Sequence, residues 1–163
     1  MDLITDLSSI NGLDSVMVVV DHGLSKGVIL APCAKIVDAV GIANFFFNDI
    51  FKQFRLHEKV ISDCGPQFAS AFARELARLL QYNVALSSSY HPQTDKETEC
   101  YNQELKMYFH IFCEGQLQKW LELLPMAEFA HNIAIHLVTG KFPFFLIMGY
   151  EPQSYPLLHQ LWH

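Results

Sequence analysis

The order of strand-like and helix-like segments predicts an α/β fold, in which helices cover both faces of a mixed five-stranded sheet. Three observations lead to this prediction. The first 33 residues contain three β-rich segments, two further strand-like segments alternate with helical ones, and the helical segments have apolar residues three and four positions apart. Strands that come first and then alternate with helices are typical of a mixed sheet between layers of helices.

The N-terminal segment has the composition of a three-stranded meander. "MDLITDL" alternates in part, "DSVMVVVDH" is β-branched and almost wholly apolar, and "GVILAPC" forms a third apolar run. "GLSKG" separates the last two runs and contains two glycines, which suit a turn. We therefore expect three consecutive strands.

Residues 38–55 have the periodicity of a helix. The stripe expected to face inward consists of Val40, Ala43, Phe47, Ile50 and Phe54. Phe45, Phe46 and Phe51 make the apolar surface wider than one face. The sequence therefore predicts a helix that is covered on more than one side, either by the core or by a second subunit.

Strand and helix then alternate. "KVISDCGPQF" predicts a short fourth strand ending at Asp63, stopped by Gly65 and Pro66, and residues 68–80 follow as a helix. The inward positions of that helix are Phe68, Phe72, Leu76, Leu79 and Leu80. "YNVALSS" predicts the fifth strand, and a polar loop separates it from two more helices, over about 95–112 and 117–132.

Composition limits the classes of function. The 163 residues are 51% hydrophobic, which is enough for one domain with a sizeable core. No apolar run approaches the roughly 20 residues of a membrane span, and the chain does not start as a signal peptide, so we expect a nuclear or cytoplasmic protein without a membrane partner. The net charge of −6 argues against general coating of nucleic acid. The four cysteines lack zinc-ligand spacing.

Three carboxylates are candidates for a metal site. Asp2 lies in the first strand, Asp63 at the end of the fourth, and Glu99 near the start of the helix after the fifth. A two-metal site for phosphoryl transfer needs several hard oxygen ligands on rigid elements. An isolated Asp at a strand end is more often a turn former or helix cap, and Glu in a first helical turn is favoured by the helix dipole. Position alone does not show which of Asp95, Glu97 and Glu99 is the metal ligand.

The sequence around these three carboxylates resembles that of a known protein family. Asp63 and Glu99 have 35 residues between them and lie in "ISDCGPQF" and "HPQTDKETECYNQEL". These segments, with "MDLITDL", "LLPMAEFAHN" and "TGKFPFFLIMGYEP" in the same order, resemble the catalytic core of integrases from gypsy-type LTR retrotransposons, relatives of the retroviral integrases. The resemblance covers nearly the whole chain.

The resemblance implies an RNase H-like fold for residues 1–150, shortened in the first strand, with residues 151–163 as a C-terminal tail. It implies that Asp2, Asp63 and Glu99 are the catalytic residues and hold two Mg²⁺ or Mn²⁺ ions. The implied reactions are trimming of retroelement DNA ends and attack of the freed 3′-hydroxyl on target DNA. The implied partners are DNA, both as retroelement ends and as target, and further copies of the chain in a homodimer or higher oligomer.

The polar loop and the helix after it are the expected DNA-contacting region. The resemblance to integrases implies that "SSSYHPQTD" is the active-site loop. This loop contains His91 and Gln93. Gln103 and Lys106 lie four and seven residues after Glu99, so the three share a helix face. Asn102 is a further candidate. Each also has a simpler interpretation, as a loop histidine, a surface amide or a solvated charge.

Two departures from the family pattern keep other functions open. The family usually has arginine at the positions of Cys64 and Cys100, and a thiol cannot donate to phosphate as a guanidinium does. A noncatalytic DNA-binding or protein-interaction module is therefore an alternative to an integrase core. An RNase H-type nuclease, which shares the fold and the metals, is a further alternative.

Overall fold

A three-stranded antiparallel sheet lies at the N terminus of the chain. The computed structural model describes residues 1–52, 60, 66–81, 103 and 119–152. Within this part, β1 (Asp2–Ile4), β2 (Ser15–Val20) and β3 (Val28–Cys33) follow one another in the order β1-β2-β3. The predicted N-terminal meander is confirmed.

Asp21 shapes the turn between β2 and β3. Its Oδ1 accepts the Gly23 N–H at 2.8 Å, and its Oδ2 accepts the Ser25 N–H at 3.0 Å and the Ser25 hydroxyl at 2.6 Å. Ser25 is buried, and its Oγ accepts the Gly27 N–H in turn. The Asp21 carboxylate therefore satisfies donors that the turn leaves without strand partners.

The described helices follow the sheet. The α-helices are α1 (Ala39–Phe45), α2 (Pro66–Leu79), α3 (Trp120–Asn132) and α4 (Pro143–Met148), and a π-helix (Phe46–Phe51) continues α1. α1 begins at an N-cap, where the Asp38 side chain accepts the Gly41 N–H at 2.7 Å. α4 ends at Gly149, whose φ of 79° suits glycine. These helices confirm three of the predicted ones in the described ranges.

Helices pack on both faces of the sheet because β-strand side chains alternate between them. On one face, sheet residues including Ile4, Val18 and Leu30 pack against Trp120 and Leu124 of α3. The opposite face of the sheet packs against α1, the π-helix and α2, through a cluster of buried residues. That cluster contains Met1, Met17, Ala39, Ile42, Ala43, Phe46, Ile50, Phe72 and Leu76. The predicted covering of both faces is confirmed.

The inward stripe of α1 differs from the predicted one. Val40 is 46% exposed, and the buried positions are Ala39, Ile42, Ala43, Phe46 and Ile50. The helix becomes a π-helix after Phe45, and its i→i+5 bonds change the number of residues per turn. Val40 lies before this change, so its exposure follows from the phase of α1 itself, in which Ala39, Ile42 and Ala43 face the core. Ala43 and Ile50 of the predicted stripe are buried as predicted. α1 and the π-helix pack with both the sheet and α2, so the apolar width predicted for this segment is largely accounted for within the chain.

α3 also binds the edge of β3 that faces away from β2. The Asn132 side chain accepts the Val28 N–H at 2.9 Å and donates to the Val28 carbonyl at 2.8 Å. Glu128 Oε2 accepts the Leu30 N–H at 2.8 Å. Two side chains one helical turn apart thus take the place of a neighbouring strand.

The five-stranded sheet stays a prediction. The predicted fourth and fifth strands fall outside the described residues, except for Val60, and the described sheet has three strands, all antiparallel. The described part of the chain is therefore a mixed α/β structure with a three-stranded antiparallel sheet. In that same part, no helix is long and apolar enough to cross a membrane.

Candidate metal centre

Asp2, the first of the three candidate ligands, lies at the start of β1. It pairs with Val18 of β2, which pairs in turn with Leu30 of β3. Val18 and Leu30 belong to the core cluster beneath α3, so this register assigns Asp2 to the α3 face of the sheet. Asp2 is half-buried, and its Oδ1 accepts the N–H of Leu3 at 2.7 Å.

The neighbours of Asp2 hold it in place. Met1 is 8% exposed and belongs to the core cluster on the α2 face, and Leu3 packs against the same cluster. Met1 and Leu3 are therefore anchored on the α2 face of the sheet. Asp2, which lies between them in the sequence, is on the α3 face. Although it is the second residue of the chain, its backbone is paired over the whole of β1.

The partners expected for Asp2 are not among the described residues. Asp63 and Glu99 both lie outside them, as do the proposed DNA-contacting residues His91, Gln93, Asn102 and Lys106. Gln103 is described, and it is helical and exposed. Its helical state agrees with the helix predicted over 95–112, and its exposure leaves the amide accessible to a ligand.

The described residues do not by themselves form a metal site. Among them, no group of three or more His, Cys, Asp or Glu side chains is placed to hold an ion. Glu128 lies on the same sheet face as Asp2 but binds at Leu30, two strands away, which corresponds to roughly 10 Å at the usual strand spacing of about 4.8 Å. Asp2 offers the hard carboxylate oxygens that Mg²⁺ prefers, so its chemistry suits one ligand of such an ion.

Other carboxylates near the N terminus have structural roles. Asp21 is occupied by the β2–β3 turn, and Asp6 forms an exposed ion pair with Lys35 at 2.7 Å. Their contacts give each of them a structural role of its own. Sequence reasoning had no signal for Glu128 and Asn132, because their backbone partners lie 98 and 104 residues away along the chain.

Burial changes the ionisation of two groups on α3. It raises the pKa of the Glu128 carboxyl above 4.5; the hydrogen bond from Leu30 opposes this change and the Asp49 carboxylate adds to it. Burial lowers the pKa of His131 below 6.5, against the opposing effect of its contact with the Lys26 carbonyl. Both groups lie beside β3 and its turn rather than beside Asp2.

Comparison with known proteins finds relatives among transposon polyproteins. The Transposon Tf2-3, Tf2-4 and Tf2-5 polyproteins of Schizosaccharomyces pombe (strain 972 / ATCC 24843) are each 31% identical to this chain over 157 residues. The similarity covers 96% of this chain and 12% of each polyprotein. No protein-family model matches the chain. The chain is therefore similar, almost from end to end, to one short segment of these transposon polyproteins.

Proposed function

We propose that this chain is the catalytic core of a retroelement integrase, which carries out metal-dependent polynucleotidyl transfer on DNA. The observation that supports this most directly is the similarity to transposon polyproteins over 96% of the chain. Any stretch of 157 residues within 163 includes both Asp63 and Glu99. Two of the three proposed ligands thus lie in the part that is similar to the transposon polyproteins.

The short connection from Asp63 to α2 is compatible with the proposed ligand set, and α2 itself packs on the sheet face opposite to that of Asp2. α2 begins at Pro66, three positions after Asp63, and its Phe72 packs in the same core cluster as Met1. A few residues of extended chain span at most about 3.5 Å each, so Asp63 is tethered within roughly 11 Å of a helix that packs beside β1. Convergence of Asp63 with Asp2 is compatible with this connection.

In the proposed reaction the protein contributes ligands, orientation and DNA contacts. Asp2, Asp63 and Glu99 would hold Mg²⁺ or Mn²⁺, which when bound would supply Lewis-acid activation of the attacking oxygen and stabilisation of charge at phosphorus. The positions of the Asp2, Asp63 and Glu99 carboxylates would determine where the metal ions lie relative to the reacting phosphate. Gln103, with Lys106, His91, Gln93 and Asn102, orients the DNA backbone for in-line attack.

The test compares metal binding by two matched double variants. Asp63→Asn with Glu99→Gln removes two proposed ligands, whereas Asp6→Asn with Glu122→Gln removes the same number and types of carboxylate from exposed positions. Isothermal titration with Mn²⁺ should show binding by the unmodified chain and the control, and loss of binding in the first variant. Equal binding by all three proteins contradicts the proposed site.

The noncatalytic alternative is favoured by the charge of −6 and by cysteine at positions 64 and 100. The same titration separates it from the integrase proposal if it is combined with a nicking assay. A relic retains DNA binding without Mn²⁺-dependent strand cleavage, whereas the proposed enzyme cleaves next to a DNA end. Preferential cleavage of the RNA strand in an RNA–DNA hybrid identifies the RNase H-type alternative.

Self-association is part of the proposal because concerted insertion needs two DNA ends. Two apolar residues near the start of α1 are exposed, Ile36 at 96% and Val40 at 46%. Such residues on a helix flank are suited to an interface between copies. Sedimentation should show a dimer or larger species that Val40→Glu weakens, and a monomer at all tested concentrations argues against it.

A further inference from the structure

An open apolar groove lies between β3, α3 and α4. Its volume is about 550 Å³, and its walls include Leu30, Pro125, Phe129, Phe144, Ile147 and Met148. α4 is fitted closely against the start of β3, since a Cβ on Gly27 would lie 2.8 Å from Ile147 Cδ1. The groove therefore has a closely packed wall at α4, and a side chain at its rim, Met148, is 48% exposed.

A chain of aromatic contacts connects this groove to the segment that leaves α4. Phe129 of α3 packs edge-on against Phe144 of α4, with ring centroids 6.3 Å apart. Phe144 packs edge-on against Tyr150, which follows the helix, at 5.5 Å. Tyr150 thus holds the outgoing chain against a residue that lines the groove.

We propose that the groove is the docking site for this chain's own residues 153–163, bound within the same molecule. This segment, "QSYPLLHQLWH", contains Leu157, Leu158, Leu161 and Trp162 and has no acidic residue or lysine or arginine. Its composition matches an apolar groove, and it starts three positions after the anchored Tyr150. At up to about 3.3 Å per residue it is long enough to pass along β3, whose six residues span roughly 20 Å.

The edge of β3 determines how the segment binds. The N–H of Val28 and that of Leu30 already have partners in Asn132 and Glu128, and Pro32 has no N–H. An added β-strand would find few free donors there, so β-augmentation is disfavoured. The segment instead inserts apolar side chains between α3 and α4, and this burial supplies the free energy of docking.

Trp162 provides the readout, because the chain has two tryptophans and the other, Trp120, is 2% exposed in the core. The difference between the emission of the full chain and that of its Trp162→Phe variant isolates Trp162. We expect this emission to be shifted to the blue and shielded from acrylamide. Quenching of Trp162 at the rate of free tryptophan would overturn the proposal.

A matched pair of variants assigns the site. Met148→Glu places a carboxylate at the rim of the groove, whereas Met126→Glu makes the same change on α3, outside the groove lining and at a similar exposure of 42%. Desolvating a carboxylate is costly, so Met148→Glu should release the segment. We expect a red shift and a several-fold increase in quenching of Trp162 in Met148→Glu and neither in Met126→Glu.

Two further outcomes are decisive. Equal effects of the two substitutions, or none from Met148→Glu, contradict docking in this groove, and unchanged Trp120 emission verifies that each variant is folded. Shielding of Trp162 that disappears on dilution shows that a second copy supplies the segment, which contradicts binding within one molecule. The readout is independent of metal and DNA, so it does not depend on the proposed enzymatic function.

Discussion

The side-chain amide of Asn132 binds both backbone polar groups of Val28, accepting its N–H at 2.9 Å and donating to its carbonyl at 2.8 Å. A neighbouring β-strand would offer the same donor and acceptor pair. Since Glu128 binds the next outward-facing N–H, at Leu30, α3 serves as a substitute strand at the edge of the sheet. The contact joins the C-terminal half of the described chain to the N-terminal meander.

Asn132→Ala should therefore destabilise the protein. It leaves the N–H and carbonyl of Val28 without their partners beside a core strand, and each unsatisfied buried group costs about 1–3 kcal/mol. The matched control is Asn48→Ala, which removes an exposed amide bonded only to the Asn44 carbonyl and should change stability by less than about 0.5 kcal/mol. Chemical denaturation measures both, and similar effects would show that the Val28 contact adds little.

Glu128 should make stability depend on pH. Because burial raises its pKa above 4.5, the folded protein holds this proton more tightly than the unfolded chain. Its contribution to stability is complete below about pH 4.5 and is lost as the pH rises through the higher pKa of the folded state. Glu128→Gln keeps an oxygen for the Leu30 N–H but does not ionise.

The stability of Glu128→Gln relative to the unmodified chain should therefore increase as the pH is raised from 4.5 towards neutral. Urea denaturation at a series of pH values measures this difference. Glu122→Gln, at an exposed position on the same helix, controls for the loss of one negative charge. A difference that is constant with pH, or that decreases as the pH rises, contradicts the assignment.

The positions of the three strands and of α1, α2 and α3 could be predicted because their signals are local, whereas α4 was not predicted. The β-branched run at Ser15–Val20 identifies a strand, and the spacing of Phe72 and Leu76 identifies a helix and its buried face. The phase of α1 could not be predicted in the same way, because apolar residues lie all round this segment and do not mark one face, so Val40 was placed inward where Ala39 and Ile42 are buried. The bonds from Asn132 and Glu128 join residues about a hundred positions apart, and no local pattern encodes such contacts.

Asp21→Ala should disrupt the β2–β3 turn without affecting metal binding. The substitution removes the acceptor for the Gly23 and Ser25 N–H groups and for the buried Ser25 hydroxyl. Hydrogen bonds to a charged acceptor contribute about 1.5–3 kcal/mol, so we expect a loss of stability in that range. Glu122→Ala removes an exposed carboxylate for comparison.

The same Asp21→Ala protein, at a temperature where it is folded, should bind Mn²⁺ as the unmodified chain does. Asp2→Asn should have the opposite effects, with weaker metal binding and little change in stability, since Asn can still accept the Leu3 N–H. Loss of metal binding in Asp21→Ala would show that the turn carboxylate had been assigned the wrong role.

The candidate site was proposed from a different kind of signal than the fold, namely a resemblance to known proteins rather than a local pattern. Asp2 has no distinguishing local feature in the structure, since a half-buried Asp at the start of a paired strand is common. It is proposed as a ligand because its segment, together with those that contain Asp63 and Glu99, resembles the catalytic core of gypsy-type retrotransposon integrases. Asp21 and Asp6 lie nearby, and only their contacts in the folded chain show that they serve the turn and an ion pair.

Arginine at positions 64 and 100 should strengthen DNA binding if those positions lie beside the metal ligands. Cys64→Arg with Cys100→Arg adds two guanidinium groups next to Asp63 and Glu99 in the sequence. Each new phosphate contact releases counterions and steepens the dependence of log K on log salt by about 0.9.

The control variant, Ile36→Arg with Leu137→Arg, adds the same charge at positions that are 96% and 98% exposed. Fluorescence anisotropy with a DNA end, measured over a range of salt concentrations, should therefore show a slope steeper by up to about 1.8 in the first double variant and a smaller change in the second. Equal slopes in the two proteins would mean that added charge acts only at long range and that positions 64 and 100 do not contact DNA.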